Sequence, residues 1–199
     1  MKENSAFQEV LLFWFGDDSS DQLKNKALWF KKDNDFDTLI RERFEPLLND
    51  AVTGDLQAWR EDARSCLAFV VLLDQFSRNM YRDTPKAFSQ DALALEASKD
   101  AVAKRLDKAL STIERSMFYM PFMHSEKLDD QRRGIELFEQ LKEDAEEDLK
   151  PSIQMNIDYM KRHAEIIETF GRFPHRNAIL NRESTAEEKT FLKTPNSSF

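Results

Sequence analysis

Apolar residues recur along this chain at the three- and four-residue spacing that is typical of amphipathic helices. The first set is followed at once by the stop signal Gly16-Asp17-Asp18, so we predict a short first helix. Two further helices are predicted before residue 55, the second of which Gly54 should end and Pro46 should kink or interrupt. The apolar positions of these three helices are Phe7, Val10, Leu11 and Trp14; Leu23, Ala27, Leu28 and Phe30; and Phe36, Leu39, Ile40, Phe44 and Leu47 or Leu48.

Residues 67–73, with the sequence Leu-Ala-Phe-Val-Val-Leu-Leu, are apolar on every face, which fits a buried strand as well as a buried helix. The chain contains no second run of this kind to pair with, and helix-forming residues precede it from Leu56 onward. We therefore predict a buried helix here.

The second half of the chain carries several start and stop signals for helices. Pro121 should bend or end a helix just before His124, and Gly171 with Pro174 should end another. The predicted starts are Thr84-Pro85, the capping box Ser111-x-x-Glu114, Leu128, Pro151 and the capping box Ser184-x-x-Glu187. Successive antiparallel helices with short loops predict an all-α fold of roughly eight or nine helices. We expect one domain over residues 1–199, with a polar tail from about residue 193.

Composition narrows the classes of function. The 33% of charged residues is offset by 16 Phe, three Trp and seven Met, enough apolar surface for a folded core. Four glycines leave no room for a Gly-rich phosphate loop, and the single Cys66, predicted to be inert core, excludes an intrachain disulfide. A net charge of -8 argues against nucleic acid or an anionic membrane as the main partner. Without a signal pattern or a long apolar run, we expect a soluble, cytoplasmic protein, and no cofactor is indicated.

Most of the unusual polar chemistry lies in three segments, which are 73–79, 120–126 and 163–177. They contain all three histidines and a concentration of arginines in an otherwise acidic chain. The candidate ligand-binding residues are Asp74, Arg78, Asn79, His124, Glu126, His163, Arg172, His175, Arg176 and Asn177. Guanidinium groups suit carboxylate or phosphate, and imidazoles exchange protons near neutral pH.

Other interpretations of these residues are open. Asp74 and Arg78, spaced i,i+4, fit a partly buried structural pair as well as an arginine oriented toward a ligand. The arginines near residue 176 could cap helix ends or pair with acids. A transition metal would require His124, Glu126, His163 and His175 together, but their local spacing matches no known metal motif.

The three segments, read as Leu73-Asp-Gln-Phe-Ser-Arg-Asn79, Met120-Pro-Phe-Met-His-Ser-Glu126 and Phe170-Gly-Arg-Phe-Pro-His-Arg-Asn177, resemble the bacterial family known as domain of unknown function 924. The likeness runs from about Val10 to Leu192. It implies antiparallel helix pairs in a tetratricopeptide-like right-handed superhelix, and it implies no established activity. The chain departs from the family pattern at Ser77, where proline is more frequent, and at Asn181, where glycine is frequent.

Three hypotheses about function follow from the sequence. The first is a helical protein with one polar His/Arg pocket for a small anionic ligand or an acidic peptide terminus. The second is a tetratricopeptide-like interaction module in which the motifs brace helix ends. The third is a metal-dependent hydrolase. The oligomeric state is not predictable from the sequence.

Overall fold

Helices are the regular elements of the computed structural model, which describes residues 3–17, 29, 31–195 and 197, and no strand occurs among them. The all-α prediction is therefore confirmed, whereas the helix predicted around Leu23 to Phe30 lies outside the described residues except for Trp29. The α-helices are α1 (Glu3–Phe15), α2 (Asn34–Thr53), α3 (Ala63–Val70), α4 (Ser77–Met80), α5 (Asp91–Ala103), α6 (Thr112–Phe118), α7 (Met120–His124), α8 (Leu128–Asp144), α9 (Lys150–Phe170) and α10 (Ala186–Phe191).

Shorter helical segments connect several of these α-helices. A π-helical segment, Val71–Phe76, joins α3 to α4, so that 63–80 runs as one helix with a wide turn in it. Single 3₁₀ turns are Gln57–Glu61, Pro85–Phe88, Leu106–Ala109 and Pro174–Arg176. Within the described residues, no helix is long and apolar enough to cross a bilayer.

The chain forms two compact units, one made of Met1–Arg82 with Lys86–Pro121 and the other of Asp83–Pro85 with Phe122–Phe199. Each is described by itself below. The single domain and the superhelical arrangement stay predictions.

The first unit is built around the helix 63–80. It contacts α1, α2, α5 and α6, and every residue from 67 to 73 is at most 1% exposed. Contact on all sides explains why this segment is apolar on every face, and the predicted buried helix is confirmed. Trp14, Trp29 and Trp59 are also buried, as is Cys66, whose burial raises the pKa of its thiol to about 12.

The main contact of the second unit joins α8 and α9. Five residues, 145–149, connect them, so the two packed helices run antiparallel. They approach closely at Gly134, where an added Cβ would lie 2.3 Å from Met160 Cε and 2.9 Å from Phe122 Cβ. A side chain larger than hydrogen at position 134 would therefore have to displace Met160 or Phe122.

Several predicted helix boundaries are confirmed. Gly16, Gly54 and Gly171 follow the ends of α1, α2 and α9 with φ of 82°, 94° and 68°, and the left-handed conformation is readily adopted by glycine. Pro151 lies in the first turn of α9. The Ser111-Glu114 capping box opens α6 with both of its hydrogen bonds present.

Three proline predictions are wrong in part. Pro46 does not interrupt α2, which continues to Thr53. Pro85 begins a helical turn, but this turn is 3₁₀ and ends at Phe88, so the α-helix predicted from Thr84-Pro85 begins only at Asp91. Pro121 lies inside α7, and the break before it falls at Tyr119.

Gly134→Ala is expected to lower the free energy of unfolding by about 1–3 kcal/mol, because the new methyl group must displace Phe122 and Met160. Urea unfolding of both proteins measures this change. Arg132→Ala, on the same helix with a side chain 60% exposed, is the control and should stay within about 0.5 kcal/mol. A Gly134→Ala protein more stable than the wild type would mean that only helix propensity matters here.

Candidate functional site

The two units share the predicted site residues unequally. The first unit holds Asp74, Arg78 and Asn79. The second unit holds the others, which are His124, Glu126, His163, Arg172, His175, Arg176 and Asn177.

Glu126 is the centre of one polar network in the second unit. Its Oε2 accepts a hydrogen bond from Arg182 Nη1 at 2.7 Å, and its Oε1 accepts from Arg182 Nη2 at 2.9 Å and from the Phe173 amide at 2.8 Å. Arg182 Nη2 also donates to the Phe173 carbonyl at 3.0 Å. Burial raises the pKa of Glu126, but these donors outweigh it and leave the pKa below its ordinary value. Glu126 thus fixes the chain after α7 to the turn after α9.

Glu188 is the centre of a second network. Arg172 donates to it through Nε at 2.7 Å and Nη2 at 2.8 Å, while Asn177 Nδ2 donates at 3.2 Å and the Thr185 amide at 2.8 Å. The hydrogen bonds from Arg172 lower the pKa of Glu188 to about 2. Arg172 Nη2 donates also to the Glu183 carbonyl at 2.8 Å. Arg172 is therefore a structural brace.

The last capping box is displaced by one residue from its predicted position. Thr185 and Glu188 form it, and the prediction of Ser184 and Glu187 is wrong. Both pairs fit the sequence pattern, but the Ser184 hydroxyl accepts from Asn177 Nδ2 at 3.0 Å instead.

Asn177 links the two networks. Its Oδ1 accepts from Arg182 Nε at 3.0 Å, while its amide nitrogen reaches Glu188. The chain returns from Asn177 to Arg182 through Asn181, whose φ of 53° is left-handed. Asparagine tolerates this conformation, so the turn forms although glycine is absent.

Two of the three histidines, His163 and His175, lie against Phe173, which is fully buried. The His163 ring packs edge-on to Phe173 with centroids 5.4 Å apart, His175 lies at 5.5 Å, and the Arg176 guanidinium stacks over the ring at 4.6 Å. His163 is 5% exposed and Arg176 6%, whereas His124 and His175 are half-buried. The Phe173 ring thus contacts one side chain of α9 and two of the turn that follows it.

Burial lowers the pKa of His163 to about 3, and the charges of His124, His175 and Arg176 act in the same direction. The hydrogen bond between His163 Nδ1 and the Tyr159 carbonyl, 2.8 Å long, opposes this shift but does not cancel it. His163 is therefore neutral at pH 7.

In the first unit, Arg78 lies between two carboxylates. Its Nη2 is 3.5 Å from Asp74, which is fully buried, and 2.7 Å from Asp91. Gln75 Nε2 donates to Asp74 at 2.6 Å from within the π-helical segment. Both acids are near enough to hold the guanidinium in place, so the predicted pair between Asp74 and Arg78 is present and extended by Asp91.

Asn79 takes part in a separate brace. Its Nδ2 donates to Asp37 Oδ1 at 2.8 Å, and Arg82 binds the same carboxylate through two nitrogens at 2.7 and 2.9 Å. This group connects α2 to the end of α4. Asn79 therefore has a structural partner.

The metal hypothesis finds no support in the geometry. Across the residues that the structure describes, no three His, Cys, Asp or Glu side chains are grouped so that they could hold a metal ion. A surface depression of about 400 Å³ between α8 and α9 contains none of the predicted site residues. Its lining is Glu139, Lys142, Glu143, Lys150, Gln154, Ile157 and Lys161.

Comparison with known proteins places the chain in a family. Residues 10–196 match the model of a bacterial protein family of unknown function, DUF924. The chain belongs to this family. A solved structure of a protein of unknown function from Agrobacterium tumefaciens is similar, with 34% identity and a TM-score of 0.82 over 96% of this chain and 98% of that one. No curated protein matches the chain.

Membership in the DUF924 family confirms the resemblance drawn from the three motifs, and the fold agrees with that of a relative. Sequence reasoning missed Glu188 and Asp91 as partners of motif arginines. Each lies outside the three motifs. Glu188 fits a capping-box pattern with Thr185, but nothing in the sequence shows that Glu188 binds Arg172 or that Asp91 binds Arg78.

The brace formed by Glu126 and Arg182 is expected to have a coupling energy of about 1–3 kcal/mol in a double-mutant cycle with Glu126→Gln and Arg182→Gln. The reason is that two guanidinium nitrogens bind a partly buried carboxylate. Urea unfolding of the four proteins measures it.

The matched control cycle uses Arg132→Gln and Glu168→Gln, which remove a pair 3.6 Å apart with side chains 60% and 65% exposed. Its coupling should be at most about 0.5 kcal/mol. Equal values in the two cycles would contradict the assigned bracing role of Glu126.

Because of His163, the free energy of unfolding is expected to decrease as pH falls from 6.5 toward 3. In that range the unfolded state binds a proton on His163 and the folded state does not, so stability is lost on acidification. Between pH 7 and pH 5 the loss should be about 2 kcal/mol. In His163→Asn, which does not titrate, urea unfolding should show a pH dependence weaker by about that amount. An unchanged pH profile would show that the pKa of His163 is the same in the folded and unfolded states, which would contradict the lowered value.

Proposed function

We propose that the second unit binds a small anion, a carboxylate or a phosphate, through Arg176 and the imidazoles of His124 and His175. One observation carries the proposal: the rings of His163 and His175 and the guanidinium of Arg176 all lie against Phe173, at 5.4, 5.5 and 4.6 Å from its ring centroid. The charge of His124 also acts on His163. Groups that are distant in sequence thus contribute cationic or proton-donating atoms to one region.

The local charge balance supports this assignment. From residue 169 to residue 182 the chain carries Arg172, Arg176 and Arg182 and no acidic residue. Glu188 and Glu126 occupy Arg172 and Arg182 in bidentate pairs. Arg176 lies over the Phe173 ring with its Cζ 4.6 Å from the centroid, and its charge also lowers the pKa of Glu126. A guanidinium presents several N–H donors in a planar fork that suits a carboxylate or phosphate.

The proposal narrows the set of binding residues. Arg172, Asn177 and Glu126 act as braces that position the turn. Arg78 and Asn79 are held by acids of the first unit, and they are left out of the proposed anion site. His163 contributes a neutral ring that packs edge-on against Phe173.

The interaction module is the second candidate, and one observation favours it. Met155 and Tyr159 lie one turn apart on α9 and are 62% and 47% exposed. Exposed large apolar side chains at this spacing are a common contact for a partner helix. The ion pairs that brace the motifs are equally compatible with this function.

Anion binding is tested by thermal shift and calorimetry with inorganic phosphate and with acetate. We expect Arg176→Gln to weaken binding about tenfold or more, since one charge-assisted hydrogen bond contributes roughly 1.5–3 kcal/mol. Arg176→Lys keeps the charge and should retain part of the affinity. His175→Gln removes the half-buried imidazole and should also weaken binding.

Arg132→Gln removes an exposed arginine of the same unit and is the matched control, with binding expected unchanged. If neither anion stabilises the wild type, or if Arg176→Gln and His175→Gln bind as tightly as the wild type, the proposal is wrong.

A further inference from the structure

The surface depression of about 400 Å³ between α8 and α9 belongs to the second unit and shares no residue with the proposed anion site. Three of its lining residues come from α8 and four from α9, and these two helices pack against each other. The four on α9, from Lys150 to Lys161, follow one another at spacings of four, three and four residues, so they lie along one face of the helix. Ile157, which is 2% exposed, is the apolar member of the lining.

Lys142 is held at this depression by a chain of two hydrogen bonds. Its Nζ donates to Gln154 Oε1 at 2.7 Å, and Gln154 Nε2 donates to Asp158 Oδ1 at 2.8 Å, which fixes the direction of the amide. An ammonium has three N–H donors, and here a neutral acceptor takes one of them. Lys142 is half-buried, and no carboxylate among the described residues pairs with it. The depression therefore contains a positioned positive charge without a counter-ion.

Glu143 supplies the opposite charge to the same lining. It is exposed, and within the described part of the chain its carboxylate makes no hydrogen bond or ion pair. Lys142 and Glu143 are consecutive on α8, and consecutive side chains of a helix point about 100° apart and do not face each other. The two charges consequently stay separate instead of forming a pair.

The other charged side chains of the lining already have partners. Lys161 pairs with Glu139 at 3.1 Å, and Lys150 pairs with Glu147. These pairs cancel, so Lys142 and Glu143 remain as one positive and one negative group. A simple anion would be repelled by Glu143, and a simple cation by Lys142. A ligand that satisfies both groups has to carry both charges.

We infer that this depression binds a small zwitterion of the ω-amino acid class, with its carboxylate on Lys142 and its ammonium on Glu143. Because the two protein groups diverge from the helix, the charges of the ligand must be separated by several bonds, unlike those of an α-amino acid. The methylene groups between them suit the apolar Ile157 of the lining. This binding site is additional to the proposed anion site and does not depend on it.

The experiment measures binding to the full chain by calorimetry. The zwitterion 4-aminobutyrate is compared with butyrate and butylamine, which have the same carbon skeleton and a single charge each. The set 6-aminohexanoate, hexanoate and hexylamine repeats the comparison with a larger charge separation. In at least one set we expect the zwitterion to bind about tenfold or more tightly than either singly charged compound, because each of those leaves one charged group of the site unpaired.

Two variants remove one charge of the site each. Lys142→Gln and Glu143→Gln are both expected to weaken binding of the preferred zwitterion about tenfold or more. Glu136→Gln removes a carboxylate that is 59% exposed, lies on the same helix and is not part of the lining, so it is the matched control and should bind as the wild type does. Urea unfolding checks that the variants fold.

Each outcome decides the inference. If neither zwitterion binds, or if both bind no more tightly than their singly charged analogues, the inference is overturned, and the anion site is unaffected. Zwitterion binding that survives both Lys142→Gln and Glu143→Gln would also overturn it. Arg176→Gln should leave zwitterion binding unchanged; a loss in this variant would place the ligand at the anion site instead and contradict a separate site.

Discussion

The positions of the loops in the second unit depend on the carboxylate of Glu126. It accepts hydrogen bonds from Phe173, 47 residues later, and from Arg182, 56 residues later. No helix joins these segments directly, so the carboxylate connects the loop that bears His124 to the turn that bears His175 and Arg176.

Two of the three arginines near residue 176 are held by buried or partly buried carboxylates. Glu126 binds Arg182 and Glu188 binds Arg172, both in bidentate geometry. A partly buried carboxylate is stable when several donors offset its lost hydration, as the low pKa of Glu188, about 2, indicates. The two braces therefore remain ionised through the range in which histidines titrate, so proton exchange at the imidazoles leaves the scaffold unchanged.

Local signals made much of the fold predictable, and tertiary partners account for what was missed. Gly54, Gly171 and the box at Ser111 mark helix ends because each acts through its own backbone. Ser184 and Thr185 fit a capping box equally well, and only the contact of Ser184 with Asn177 separates them. The sequence could not distinguish the three arginines near residue 176 from one another. Folding brings an acid to Arg172 and to Arg182, and it brings the Phe173 ring to Arg176.

The proposed anion site is physically compatible with a chain of net charge -8. At physiological ionic strength, charges separated by more than about 8 Å are largely screened, so acidic residues elsewhere on the surface contribute little at Arg176. The nearer groups differ in character: Phe173 offers an aromatic face, His163 is neutral, and Glu126 is already bound by Arg182. An anion at the proposed site would therefore meet Arg176 and the two half-buried imidazoles, with the carboxylate of Glu126, whose pKa the charge of Arg176 also lowers, nearby.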